Sequence, residues 1–259
     1  MNVKVYYIDC LTNLHVGSGE ANFNIVDKEV EKDPLTGYPM VHASGIKGAF
    51  REAYAKDHTK DQTKYIFGEA ATDNESDTVG SYKFFDAHLL YRPMRAEGSF
   101  PFVNVTTITA IENFVNLTKA FGVDSGLNVD GLKCLSFENA KFLTSDADIS
   151  VESEVCAILD EQVVNALRPF LGEHFAIAAS MDDYSLPVVA RNRLHKQKSL
   201  WYEEFVPYGS RFYMLAIIPD GTDEQEINEV IPPIAQIGGN CSVGYGYCKI
   251  ECKFSRQEA

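Results

Sequence analysis

The stretch YKFFDAHLLYRPMRAEGSFPFVNVTTITAI, residues 82–111, decides the fold. Residues 82–94 and 100–111 are dense in aromatic, β-branched and other apolar side chains, and Gly98 and Ser99 lie between them. That pattern predicts two strands. VKVYYIDCL (3–11) and SRFYMLAIIP (210–219) read the same way. Apolar residues at helical spacing occur in SGIKGAFREAYAKD (44–57), ESEVCAILDEQVVNALRPFLG (152–172) and DEQEINEVIPPIAQIG (223–238). Strands and helices mix without the regular alternation of a doubly wound sheet, so the predicted class is α+β with an antiparallel sheet.

At 259 residues, with 45% hydrophobic and 23% charged side chains, the chain can bury a substantial core without cross-links. The simplest organisation is one domain spanning 1–259, with an acidic, turn-rich insertion at about 68–81 and a weakly patterned one at about 119–150. The N-terminus alternates like a strand and lacks the apolar stretch of a secretory signal. No apolar run approaches the roughly 20 residues a membrane-crossing helix needs. A cytoplasmic protein with no membrane role is expected. The six cysteines then read as reduced core thiols, because no C-x-x-C pair or finger spacing occurs. Asn-x-Ser/Thr matches at Asn74, Asn104, Asn116 and Asn240 read as chance for the same reason.

A formal net charge of −14 argues against a surface that binds nucleic acid indiscriminately. Any RNA contact must be local. The densest basic patch is ARNRLHKQKSLWYEEF, with Arg191, Arg193, His195, Lys196 and Lys198 directly before Trp201 and Tyr202. Cations beside aromatics suit phosphate pairing and base stacking, and a merely solvated run is the competing reading. In HASGIKGAFREAY, Ser44 reads as a helix N-cap, with Lys47 and Arg51 four residues apart on one face. Such a terminus is either a phosphate site or an ordinary capped helix.

Two glycine loops lie at opposite ends of the chain: Gly17, Ser18 and Gly19 in HVGSG, and Gly238, Gly239, Gly244 and Gly246 in IGGNCSVGYGY. They suggest one shared surface that a ligand approaches closely, although each alone also reads as a hairpin turn. No strand-GxGxxG-helix unit supports a dinucleotide fold. Asp27, beside Ile25 and Val26 and before alternating charges, could hold a divalent cation or orient a ribose 2′-hydroxyl. A surface aspartate is the alternative. RAEGSFPFVNV loosely resembles an RNP1 strand, with Ser99 as an extra residue.

Taken in order, LHVGSG, IVDKEVEKDPLTGYPMVHASGIKGAFRE, FDAHLLYRPMRAEGSFPFVNVT, SLWYEEFVP and AQIGGNCSVGYGY resemble the RAMP superfamily of CRISPR systems. More narrowly, they resemble the fourth Cmr subunit, the backbone protein of type III-B effector complexes. The central strand pair and the Leu-Trp-Tyr-Glu-Glu run are the most specific parts. The resemblance implies a modified ferredoxin-like, RRM-type core with a thumb hairpin at about 185–205. It further implies copies stacked in a filament along a guide crRNA, other Cmr subunits as partners, and a target RNA kinked by each thumb. Asp27 stands at the place of the cleaving aspartate and His15 at that of the loop histidine. The implied chemistry is in-line attack by a 2′-hydroxyl, dependent on Mg or Mn and leaving a cyclic phosphate. Asp27 would be the metal ligand or the proton acceptor. The alternatives are a non-cleaving RNA scaffold or a glycine-loop nucleotide-binding enzyme. Two departures stand out: Cys241 and Ser242 replace the family's Glu-Thr, and Tyr245 replaces a basic residue.

Overall fold

A computed structural model describes residues 2–17, 19, 26–69, 77–181, 186–193 and 199–256, with backbone alone at 130 and 193. Its strands are β1 (Asn2–Cys10), β2 (Met40–Val41), β3 (Gly68–Glu69), β4 (Thr78–Val79), β5 (Lys83–Phe84), β6 (Ala87–Gly98), β7 (Phe102–Thr107), β8 (Phe142–Thr144), β9 (Ile149–Val151), β10 (Cys156–Ile158), β11 (Phe175–Ala178), β12 (Val188–Arg193), β13 (Ser199–Glu204), β14 (Arg211–Ile218), β15 (Ile234–Gln236) and β16 (Tyr247–Ser255). The helices are α1 (Ala43–Tyr54), α2 (Lys60–Phe67), α3 (Ile108–Ala120), α4 (Glu161–Leu171) and α5 (Glu224–Val230). None is long and apolar enough to cross a membrane.

Among the described residues, twelve strands form one sheet whose main path runs β10-β8-β11-β7-β6-β14-β1-β16-β15. β1 lies between β14 and β16, antiparallel to both. Its side chains alternate between two cores, which is why an almost unbroken apolar run is needed there. Tyr6, Ile8 and Cys10 enter the core that includes Phe50, Phe67 and Ile227 of α1, α2 and α5. Val3, Val5 and Tyr7 enter the core that includes Phe114 of α3 and Leu167 of α4. Helices thus cover both faces. At the end of β1 Asp9 takes the Arg211 guanidinium through two bonds, 2.6 and 3.0 Å long.

Several expectations change. The sheet is mixed rather than antiparallel, because β11 pairs with β7, and β10 with β8, in parallel. The segment 100–111 is not one strand: β7 ends at Thr107, whose hydroxyl accepts the Ala110 N–H at 3.1 Å and caps α3. The segment 82–94 divides into β5 and the start of β6. The helix expected over 152–172 starts only after Asp160, which caps α4, and β10 takes part of its first half. The helix expected over 223–238 stops at Val230, because Pro232 and Pro233 supply no N–H to continue it, and β15 follows. Within the presumed loop 68–81, β3 and β4 pair antiparallel. Within 119–150, β8 joins the main sheet. Cys10 and Cys248 are buried core thiols, whereas Cys134, Cys241 and Cys252 are exposed.

β12 and β13 stand apart from the large sheet as a two-stranded antiparallel ribbon, in register from Val188↔Glu204 to Arg193↔Ser199.

Candidate functional site

The site is assembled where the base of this ribbon meets the chain that follows β1. Leu14 and Val206 exchange backbone bonds of 2.9 and 2.8 Å, which places His15 beside Glu204. The His15 imidazole is buried, with Nδ1 2.7 Å from the Glu204 carbonyl oxygen. A carbonyl only accepts, so Nδ1 carries the proton and donates.

The two glycine loops come together around this histidine. The Gly239 N–H donates to the His15 carbonyl at 2.8 Å. At Gly238, whose φ is +78°, an added Cβ would lie 2.4 Å from that same oxygen. At Gly17 an added Cβ would lie 3.2 Å from Nε2 of His15. Gly246 donates its N–H to the Asn13 carbonyl at 2.8 Å, tying the C-terminal loop to the first loop a second time. Gly19 and Gly244 have no atom within 4 Å of an added Cβ, so their backbone is open to approach. The two loops expected to share a surface are adjacent.

Residues 26–30 run beside β13 like a short parallel strand. The Lys28 N–H donates to the Tyr202 carbonyl at 3.1 Å, and the Glu204 N–H to the Lys28 carbonyl at 2.9 Å. Asp27 sits at the outer end of this ladder, exposed, with Oδ2 accepting the Tyr202 N–H at 2.7 Å. Among the described residues no hydrogen bond reaches its other oxygen.

Under this ladder lie two carboxylates that the sequence reading did not single out. Glu203 is 1% exposed. It accepts from the Asn240 side chain of the C-terminal loop, and from the Trp201 indole at 3.2 Å. Lys28 Nζ and His15 Nδ1 each lie 3.9 Å from it. Glu204 accepts the Val30 N–H at 3.0 Å and the Lys32 ammonium at 3.2 Å. Burial pushes the nearby Arg92 guanidinium below its usual range, against the opposing pull of Glu152 and Glu204. The signal available in the sequence was the adjacent acidic pair inside an aromatic strand. Alternation predicts one buried member, and both are buried.

Of the basic cluster, Arg191 is brought to the site: its guanidinium stacks 4.8 Å from the centre of the Tyr245 ring. Tyr245 in turn meets Phe205 edge-on at 6.1 Å. Ser18, His195, Lys196 and Lys198 lie outside the described residues, and Arg193 is described by its backbone alone. Ser44 is exposed within the first turn of α1 and is not its cap. His42 precedes the helix without a side-chain cap bond, and Asp86 accepts the Ala43 N–H at 2.6 Å. Lys47 and Arg51 line a different cleft of about 550 Å³, shared with Glu69, Asp77 and Lys83. The His42 imidazole links α1 to the Asp27 segment through Glu31, at 3.1 Å.

Among the described residues no group of three or more His, Cys, Asp or Glu side chains could hold a metal ion. Asp27 offers one unengaged oxygen. That does not fit a resident metal cage, and it fits only an ion held mainly by a ligand's own phosphate oxygens.

A sequence model of the RAMP superfamily matches residues 7–249. The chain is 27% identical to the CRISPR system Cmr endoribonuclease Cmr4 of Pyrococcus furiosus, over 97% of this chain and 96% of that one. Its fold is similar to a subunit in the cryo-EM structure of the apo type III-B Cmr-beta complex, with a TM-score of 0.73, 22% identity and 96% of each chain covered. It is also similar to oligomeric Cmr4 from Pyrococcus furiosus, with a TM-score of 0.72, 21% identity, and 98% of this chain and 99% of that one covered. The chain belongs to the RAMP superfamily, with Cmr4 subunits of CRISPR systems as its relatives.

Proposed function

We propose that this protein is a crRNA-binding backbone subunit of a type III-B Cmr effector complex and that its Asp27 cuts the target RNA. The observation that carries the reading is the Asp27 carboxylate held by the Tyr202 N–H on the β12–β13 ribbon, whose neighbouring Glu203 and Glu204 meet the C-terminal glycine loop and His15. Supporting it, one relative is named an endoribonuclease, one similar structure is an oligomer, and another is of Cmr-beta bound to cognate target RNA. In this reading the sheet is a modified ferredoxin-like core in a single domain, the ribbon is the thumb, and copies stack along the guide with other Cmr subunits. The protein works in the cytoplasm.

The open backbone at Gly19 and Gly244 admits the RNA strand, with Gly17, Gly238 and Gly239 shaping the loops and Arg191 supplying positive charge. His15 keeps both loops in place rather than touching RNA, since its ring is enclosed. Lys47, Arg51 and Ser44 form a separate contact on α1, and Arg193, His195, Lys196 and Lys198 extend the thumb's cationic stretch. An A-form helix holds each 2′-hydroxyl out of line with its neighbouring phosphate, so a kinked nucleotide is needed. As proton acceptor, Asp27 takes the 2′-hydroxyl proton as that oxygen bonds to phosphorus, and the P–O5′ bond breaks, its O5′ taking a proton from water, to leave a cyclic phosphate. In the alternative role the second Asp27 carboxylate oxygen, together with RNA phosphate oxygens, would hold Mg²⁺ or Mn²⁺, which would supply neutralisation of the charge developing at the phosphorus.

The test compares wild type with Asp27→Ala in the guide-loaded complex, given target RNA and Mg²⁺ or Mn²⁺, with guide and target binding measured in parallel. Loss of regularly spaced cuts and of cyclic-phosphate ends, with binding retained, supports the assignment. Undiminished cuts would make the chain a non-cleaving scaffold, the reading that an exposed, single carboxylate also permits. Cutting that persists in EDTA would remove the metal from the proposal. RAMP membership leaves the glycine-loop nucleotide enzyme without support.

A further inference from the structure

Arg191 carries an unused recognition edge. In a guanidinium, Nε–H and Nη2–H point the same way and match two oxygens of one carboxylate or phosphate. Arg211 uses this edge on Asp9, Nε to Oδ1 at 2.6 Å and Nη2 to Oδ2 at 3.0 Å. In Arg191 the same two atoms are sealed from solvent, and among the described residues they have no hydrogen-bond partner, acidic or otherwise. Glu203, two residues along β13 from Trp201, is engaged by Asn240 and Trp201 instead. The Tyr245 ring holds the guanidinium plane on one side, and Trp201 is the cross-strand neighbour of Arg191.

We infer that the Nε/Nη2 edge of Arg191 is a phosphate clamp, taking both non-bridging oxygens of one RNA phosphodiester that enters between the ribbon and the C-terminal glycine loop. The inference rests on the RNA reading above and adds to it a single residue with a defined geometry. Tyr245 stands where the family resemblance expects a basic residue, and the cation reaches this loop from β12 instead. Two buried unpaired donors cost stability until an anion satisfies them, so a phosphate that parts the ribbon from the loop is compensated by both bonds.

The experiment measures binding of a labelled single-stranded RNA by the full chain at several salt concentrations. Arg191→Ala is expected to weaken binding about tenfold and to make the log-log salt slope shallower by about 0.7, the share of one phosphate. Arg191→Lys keeps the charge but not the fork, so it keeps the slope and still loses about tenfold. Thermal melts check folding, and if Arg191→Ala does not fold, Arg191→Lys decides. Lysine binding as tightly as arginine overturns the clamp while leaving RNA binding intact. Wild type failing to bind RNA at all overturns the RNA reading and the clamp together.

Discussion

Tyr202 gives its backbone N–H to Oδ2 of Asp27 at 2.7 Å, across 175 positions of sequence. The bond fixes where the carboxylate points without burying it. Asparagine at position 27 can still accept that N–H through its side-chain oxygen. Asp27→Asn should therefore melt like wild type and bind RNA like wild type, yet cut target RNA about a hundredfold more slowly or worse. The check is single-turnover cleavage by the assembled complex, and near-normal cutting by the amide would take the carboxylate out of the chemistry.

Glu203 receives two donors from separate elements, the Asn240 amide and the Trp201 indole. Glutamine can accept from only one of them with its oxygen and turns an NH₂ toward the other. Glu203→Gln is expected to cost about 1–3 kcal/mol of stability, and Glu203→Ala about 3 kcal/mol or more. Chemical denaturation measures both. A change within about 0.5 kcal/mol would show that the pinning contributes nothing.

Two glycines with similar φ separate backbone strain from steric overlap. Gly19→Ala, at φ +75° in open space, should cost about 1 kcal/mol. Gly238→Ala, at φ +78° with its new Cβ 2.4 Å from the His15 oxygen, should cost clearly more, about 2–3 kcal/mol. The pair is compared by melting, and equal losses would mean that the loop yields around His15.

Hydrogen bonds from Lys253 first, then Lys249, hold the Glu251 carboxyl down at about 2. The folded value lies below the unfolded one, so the contribution is complete above the ordinary carboxylate range and fades as pH falls from there toward 2. The group is substantially exposed, so the effect is small and salt-sensitive. Wild type should lose slightly more stability than Glu251→Gln between pH of about 6 and about 3, and 1 M salt should shrink that difference. Identical pH profiles would contradict it.

β1, β6 and β14 were legible because their aromatic and aliphatic runs bury both faces of a central sheet. Thr107 was not, because a β-branched Thr-Thr-Ile run suits a strand as well as a capped helix start. Asp27 was a candidate from its charged setting, which a surface aspartate fits equally, and the family resemblance set it apart: nothing in its local sequence says that the Tyr202 amide will hold it. Glu203 was hidden for a related reason. An acidic pair reads as solvated until His15, Lys28 and Asn240 converge on it, and those positions lie far apart in the chain. Ser44 misled because the first turn of α1 is served from Asp86, on another element.

The β12–β13 ribbon has only two strands, and such a ribbon is marginal alone in water. Its third rung is the Lys28 backbone, the residue after Asp27. The Asp27 carboxylate is therefore riveted to the ribbon that the proposed function makes the thumb. A ribbon displaced by a few ångströms carries the carboxylate with it, so under the proposed function the spacing between a bent nucleotide and Asp27 stays constant while the larger sheet stands still.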